Sequence, residues 1–115
     1  MPYYLMQAAY TPEAWAAQEK KPQNRIAAIR PVVEKLQGKM IAGFLSFGQY
    51  DVVTIVELPS NVAAQTLSIA ASAGGGIKDL LTTPLVTPEE AEQAMKDASK
   101  VGYTPPDPNM LLGLK

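Results

Sequence analysis

The sequence contains neither cysteine nor histidine. The absence of cysteine excludes disulfides, thiolate nucleophiles and zinc–thiolate sites. The absence of histidine excludes imidazole acid–base catalysis and the usual serine triad. Ten basic and eleven acidic residues leave a net charge of −1, which gives no basic surface for nucleic acid. We therefore expect no nucleic-acid partner and no cofactor.

Long apolar runs are also missing. No stretch approaches the ~18 uninterrupted apolar residues of a membrane span, and the first residues lack the basic region of a secretory signal. A chain of 115 residues has the size of one domain. We therefore expect a soluble cytoplasmic protein without a membrane partner.

The apolar patterns and capping signals predict eight elements. The predicted strands are 3–10, 40–47, 51–58 and 77–86, and the predicted helices begin near residues 12, 24, 62 and 88. This order is the split β-α-β topology. It predicts an α+β, ferredoxin-like β-α-β-β-α-β fold with a four-stranded antiparallel sheet, helices on one face, and an extra C-terminal helix. We expect one domain over residues 1–101 and a proline-rich extended tail over 102–115.

Local signals predict the geometry of several turns. Pro31 removes a donor inside the second helix and predicts a kink or a break, and Gly38 is the expected left-handed helix stop. The dipeptide Gly48-Gln49 predicts a two-residue type II′ turn. The resulting register pairs Phe47 with Tyr50, Leu45 with Val52, Gly43 with Thr54 and Ile41 with Val56.

The predicted hairpin is apolar on both faces. One face carries Ile41, Leu45, Phe47, Tyr50, Val52, Val56 and Leu58, and the other carries Met40, Ala42, Phe44, Val53 and Ile55. Helices cover only one face, and leaving the second in water would forfeit roughly 1.5–3 kcal/mol per large side chain. We expect a homodimer, or a higher homo-oligomer, that packs sheet to sheet. The alternative is that the tail, with Met110, Leu111, Leu112 and Leu114, covers this face.

The candidate site residues lie near the hairpin turn and on the last strand. Asp51, opposite Ser46, is a candidate general base or ligand acceptor, and alternatively a structural hydrogen-bond acceptor. Tyr50 could donate its hydroxyl to a ligand or pack against Phe47. Lys78 could bind a ligand carboxylate or form an ordinary edge pair. No set of acids converges on a metal site. We expect a solvated face to contain Arg25, Arg30, Lys35 and Lys39.

Several segments together resemble the GYD domain family. They are Tyr10-Thr11-Pro12-Glu13, Gly38-Lys39, Phe47-Gly48-Gln49-Tyr50-Asp51-Val52-Val53, Glu57-Leu58-Pro59, Ala71-Ser72-Ala73-Gly74, Thr82-Thr83 and Thr87-Pro88-Glu89-Glu90. The family is named for the Gly, Tyr and Asp carried here by Gly48, Tyr50 and Asp51. The resemblance covers roughly residues 3–98, and Pro31 and the run Gly74-Gly75-Gly76 depart from the pattern. It implies a ferredoxin-like fold in the dimeric α/β-barrel group, in a family without a settled activity.

Three functions follow from these patterns as hypotheses. The first is a small dimeric protein that binds an apolar or aromatic metabolite in the barrel interior or the sheet–helix cleft. Its candidate binding residues are Gly48, Tyr50, Asp51, Ser46 and Lys78. The second is a cofactor-independent oxygenase or isomerase that uses Asp51 and Tyr50. The third is a structural or regulatory homo-oligomeric subunit without chemistry.

Overall fold

The computed structural model describes residues 1–107 and divides the chain into two units, Met1–Leu85 and Val86–Lys115. The apolar tail residues from Met110 to Leu114, which are the alternative cover for the sheet, lie outside the described residues. Among the residues that are described, no helix combines the length and the apolar character needed to cross a membrane.

The first unit contains one sheet and three helices. Its elements are β1 (Tyr3–Tyr10), α1 (Pro12–Lys20), α2 (Arg25–Lys35), β2 (Lys39–Leu45), β3 (Val52–Glu57), α3 (Asn61–Ala73) and β4 (Ile77–Leu85). The strands pair in the order β2-β3-β1-β4, and every pairing is antiparallel. The predicted α+β, ferredoxin-like fold is therefore confirmed.

The helices of this unit begin at capping side chains. Thr11, Asn24 and Ser60 each accept a hydrogen bond from the backbone N–H three residues further on, which satisfies one free donor at each helix start. Helix α2 continues through Pro31, so the predicted break does not occur. The carbonyl that loses its donor belongs to Ala27, an exposed residue, where water can replace the missing bond.

The end of α2 differs from the prediction by one residue. Gln37, not Gly38, takes the left-handed conformation, with φ 62°. The N–H of Gln37 donates to the Glu34 carbonyl and the N–H of Gly38 to the Val33 carbonyl, which is the Schellman pattern of helix termination. Gly38 serves another purpose, because a Cβ at this position would collide with the Glu57 carbonyl oxygen.

The pairing of β2 with β3 contains a bulge that the sequence did not predict. Met40 pairs with Val56, and the register shifts between Met40 and Ala42. The extra residue, Ile41, reverses the alternation of faces. Met40 is therefore buried in the core at 6% exposure while Ile41 is 46% exposed, and the predicted faces of these two residues are wrong. The predicted pairs that do form are Leu45 with Val52 and Gly43 with Thr54.

The hairpin connection is longer than predicted and spans residues 46–51. The backbone N–H of Ser46 donates to the Asp51 carbonyl at 2.8 Å, and its hydroxyl donates to the Tyr50 carbonyl at 2.6 Å. Gly48 does not have the positive φ that a type II′ turn requires. The predicted two-residue turn and the pairing of Phe47 with Tyr50 are therefore wrong, because Ser46 closes a wider loop.

The hydrophobic core lies between one face of the sheet and helices α1, α2 and α3. The two core clusters contain Tyr4, Met6, Ala8 and Tyr10 of β1, Val52 and Val56 of β3, and side chains from all three helices. The Tyr4 hydroxyl donates to the Asn61 side-chain oxygen at 2.6 Å, which ties α3 to the central strand. The opposite face of the sheet carries alternate residues of the same strands, among them Leu5, Val53 and Ile55.

The second unit contains the predicted C-terminal helix, α4 (Pro88–Ala98). Its capping box is complete, because Thr87 and Glu90 each accept a hydrogen bond from the other's backbone N–H. The bond from the Thr87 backbone N–H holds the pKa of the Glu90 carboxyl below its ordinary value. Residues 102–107 form neither helix nor strand.

Candidate functional site

A cavity of about 490 Å³ lies between the core face of the sheet and the three helices of the first unit. Its floor includes Met6 and Ala8 of β1 and Val52 and Val56 of β3. This volume lies within the range of roughly 300–1,000 Å³ that is typical of small-molecule sites. The core therefore contains space for a ligand between the sheet and the helices that cover it.

Alanine side chains leave this space between the layers. Ala14 and Ala17 of α1, Ala28 of α2, and Ala70 and Ala71 of α3 all line the cavity. Protein interiors are normally packed as densely as organic crystals, and larger side chains at these positions would occupy the space between helix and sheet. The small residues of three different helices therefore form one apolar wall.

Few polar side chains line the cavity. Arg25 is half-buried, and its Nη1 donates to the Gln23 side-chain oxygen at 2.9 Å. Thr54 and Gln18 donate to nearby backbone carbonyls. Tyr10 is only 6% exposed, and within residues 1–107 its hydroxyl has no hydrogen-bond partner. The cavity is thus apolar, with one cationic group and one free hydroxyl among its lining residues.

Asp51 lies in the hairpin loop and supports the end of β1. One carboxylate oxygen accepts the backbone N–H of Tyr10 at 2.9 Å, and the Asp51 N–H donates to the Ala8 carbonyl at 2.8 Å. These bonds lie beside the register shift between Ala9 and Tyr10 where β1 pairs with β4. Asp51 does not line the cavity. Its contacts are those of a structural acceptor.

The other predicted site residues also lie away from the cavity lining. Ser46, Tyr50 and Asp51 meet in the hairpin loop through the hydrogen bonds of Ser46. Gly48 is exposed in the same loop, and Lys78 is exposed on β4, an edge strand that pairs with β1 and not with β3. The structure therefore brings the loop residues together and leaves Lys78 on a different strand.

Arg25 and Tyr10 are lining residues that sequence reasoning did not select. Arg25 was expected on a solvated face, yet it lies on the same side of α2 as Ala28, Ile29 and Val32, which also line the cavity. These four residues follow the three- and four-residue spacing of one helix face. That spacing is the signal that places Arg25 with the apolar face of α2 and separates it from the other basic residues.

The fold and the cavity define a ferredoxin-like α+β domain with a small-molecule-sized cleft between its sheet and its helices. The model of the GYD domain family matches residues 4–95, which is most of the chain. The chain therefore belongs to the GYD family, as its motifs indicate. Comparison with curated proteins and with solved structures finds no significant match.

Proposed function

We propose that this protein binds a small apolar or aromatic metabolite in the cleft between its sheet and helices α1, α2 and α3. The observation that supports this function is the cavity of about 490 Å³ with largely apolar walls. An apolar protein cavity of about 150 Å³ is already large enough to bind benzene. The cleft therefore has room for a ligand of one or two fused rings, with burial of apolar surface as the driving force.

A matched pair of variants in α2 tests this binding function. Ala27 and Ala28 are both exposed, but only Ala28 lines the cavity. The probe is N-phenyl-1-naphthylamine, a neutral molecule whose fluorescence increases in apolar surroundings. We expect saturable binding to the wild-type protein and to Ala27→Phe, and at least tenfold weaker binding to Ala28→Phe. Circular dichroism confirms that both variants are folded. Equal binding to the two variants, or no saturable binding to any of the three proteins, contradicts the proposal.

We also propose that the outer face of the sheet, defined by Leu5, Phe44, Val53, Ile55 and Leu81, packs against a second copy of the chain. The register places Leu5 beside Ile55, and Val53 beside Phe44. Phe44 is 68% exposed. Exposed apolar patches are typical of interfaces, and a sheet face can pair with itself about a two-fold axis. The tail is the alternative cover for this face.

Light scattering after size exclusion tests the dimer. We expect the wild-type protein to elute at twice the mass of one chain, and Phe44→Glu to elute as a monomer. Val62→Glu is the matched control, because Val62 is an exposed apolar residue of α3 and lies outside the outer face. A wild-type protein that is monomeric at micromolar concentration would contradict the dimer. In that case, a variant truncated after residue 101 tests whether the tail keeps the chain monomeric.

The two other functional hypotheses remain predictions. An oxygenase or isomerase would need Asp51 and Tyr50 near a substrate, and neither residue lines the cleft. A structural or regulatory subunit would need no cleft at all. A cytoplasmic location is likewise a prediction from the sequence. Binding of a metabolite is the function that the cavity favours.

A further inference from the structure

We infer that the ligand of the cleft is an aromatic or branched carboxylic acid, whose carboxylate is bound by Arg25 and whose apolar body lies against the alanine-lined walls. This inference rests on the proposed binding function and specifies its ligand class. It depends on three features of the residues that line the cleft: an arginine without an acidic partner, a gradient of exposure, and an unpaired hydroxyl.

The first feature is the charge of Arg25. Among residues 1–107, no carboxylate forms an ion pair with Arg25, and its hydrogen bond goes to the neutral side chain of Gln23. A guanidinium has five N–H donors in a planar fork that matches a carboxylate. The hydrogen bond from Arg25 to Gln23 is exposed to solvent, so the other N–H donors of Arg25 are accessible to a ligand. The remaining donors of Arg25 are therefore suited to an acidic ligand.

The second feature is the exposure of the lining residues. Gln23 is exposed and Arg25 is half-buried, whereas Met6 and Val56 on the floor of the cavity are buried. The cationic group thus lies nearer to solvent than the apolar floor. A ligand with one acidic end and one apolar end fits this order, since its carboxylate stays partly hydrated while its body loses contact with water.

The third feature is the Tyr10 hydroxyl. The Tyr10 hydroxyl has no hydrogen-bond partner among the described residues. No buried side-chain polar atom of those residues lacks a partner, so this hydroxyl oxygen is accessible to solvent although Tyr10 as a whole is 6% exposed. Tyr10 also lines the cavity. Its partner is therefore water, or a polar atom of a ligand that displaces the water. This observation favours an occupant that carries an oxygen over a pure hydrocarbon.

Isothermal titration calorimetry with two probes of the same shape tests the inference. The probes are 2-naphthoate, which carries a carboxylate, and 2-naphthamide, which is neutral. Arg25→Met removes the charge and keeps an unbranched side chain. The control is Arg30→Met, because Arg30 lies on the same helix, is exposed, and does not line the cavity.

We expect the wild-type protein to bind 2-naphthoate at least tenfold more tightly than 2-naphthamide. Arg25→Met should lose this preference, because its affinity for 2-naphthoate should fall to the level of its affinity for 2-naphthamide, and Arg30→Met should retain the preference. Equal affinity of the wild-type protein for both probes, or an unchanged preference in Arg25→Met, overturns the carboxylate inference but leaves the binding function standing. If the protein binds neither probe nor N-phenyl-1-naphthylamine, the binding function fails as well.

Discussion

Replacing Asp51 with alanine should destabilise the fold by removing the acceptor of the Tyr10 backbone N–H. The bond is 2.9 Å long, and Tyr10 is among the buried residues. A hydrogen bond to a charged group contributes about 1.5–3 kcal/mol, and a buried donor left without an acceptor costs about 1–3 kcal/mol. These ranges describe the same loss, so we expect the free energy of unfolding to fall by about 2 kcal/mol.

Urea denaturation followed by circular dichroism measures this loss. With an m value of about 2 kcal/mol per molar, the midpoint should fall by roughly 1 M. Asp51→Asn keeps a neutral oxygen in the same place, so its loss should be about half as large. The matched control is Asp79→Ala, because Asp79 is exposed on β4 and surface substitutions usually change stability by less than about 0.5 kcal/mol.

Equal midpoints for Asp51→Ala and Asp79→Ala would refute the structural role of the carboxylate. The same variants separate the binding function from the enzyme hypothesis. If Asp51 were a general base, Asp51→Asn would lose turnover at an unchanged melting temperature. If instead Asp51→Ala is the least stable protein, Asp51→Asn is intermediate and the wild type is the most stable, then Asp51 of the family motif stabilises β1.

Two further predictions concern local geometry. Gly38→Ala places a Cβ against the Glu57 carbonyl oxygen, so urea denaturation should show a free energy of unfolding lower by about 1–3 kcal/mol. A Cβ at Gly48 has nothing within 4 Å, so Gly48→Ala should lower it by less than about 0.5 kcal/mol. Equal effects of the two variants would contradict the close approach at Gly38. The pKa of Glu90 is lowered by its bond from Thr87, so the stability that this bond gives to α4 is present above the ordinary glutamate pKa of about 4.3 and is lost as the pH falls through the lowered value. The protection factors of the first-turn amides of α4, which correct the exchange rates for their intrinsic pH dependence, should therefore fall on acidification in the wild-type protein and not in Glu90→Gln. The same fall in both proteins would contradict this prediction.

Most of the fold could be predicted because its signals are local. A threonine followed by proline begins α1 and α4, and each threonine caps its own helix within three residues. Short apolar runs bounded by turn residues likewise predict the strands of the hairpin. Such signals depend on side chains that are close in the sequence, so one sequence is enough to interpret them. The order of the elements predicts the topology, and the family resemblance implies the same fold.

Several of the errors concern contacts between distant elements. A Cβ at Gly43 would lie 2.8 Å from the Ile26 side chain, so α2 closely approaches β2 two residues after the bulge at Ile41. No local pattern contains that contact. A cleft between sheet and helices was one of the two predicted ligand sites, but its lining residues were not predicted, because the alanines of three helices line it only after those helices pack together. Asp51 was a candidate site residue because it is an acid near a predicted turn. Its hydrogen-bond partner, the backbone amide of Tyr10, lies 41 residues away in the sequence, so no local pattern indicates the structural role.

The two borders of the sheet differ in how readily they would accept a foreign strand. β4 contains Pro84, and proline fits an edge strand only where its nitrogen faces away from the neighbouring strand. The free edge of β4 therefore lacks one backbone hydrogen-bond donor. The charged residues Lys78 and Asp79 further disfavour pairing of this edge with another strand. β2, at the other border, has no proline in its sequence Lys39–Leu45. Aggregation by strand addition in a partly unfolded sample should therefore begin at β2.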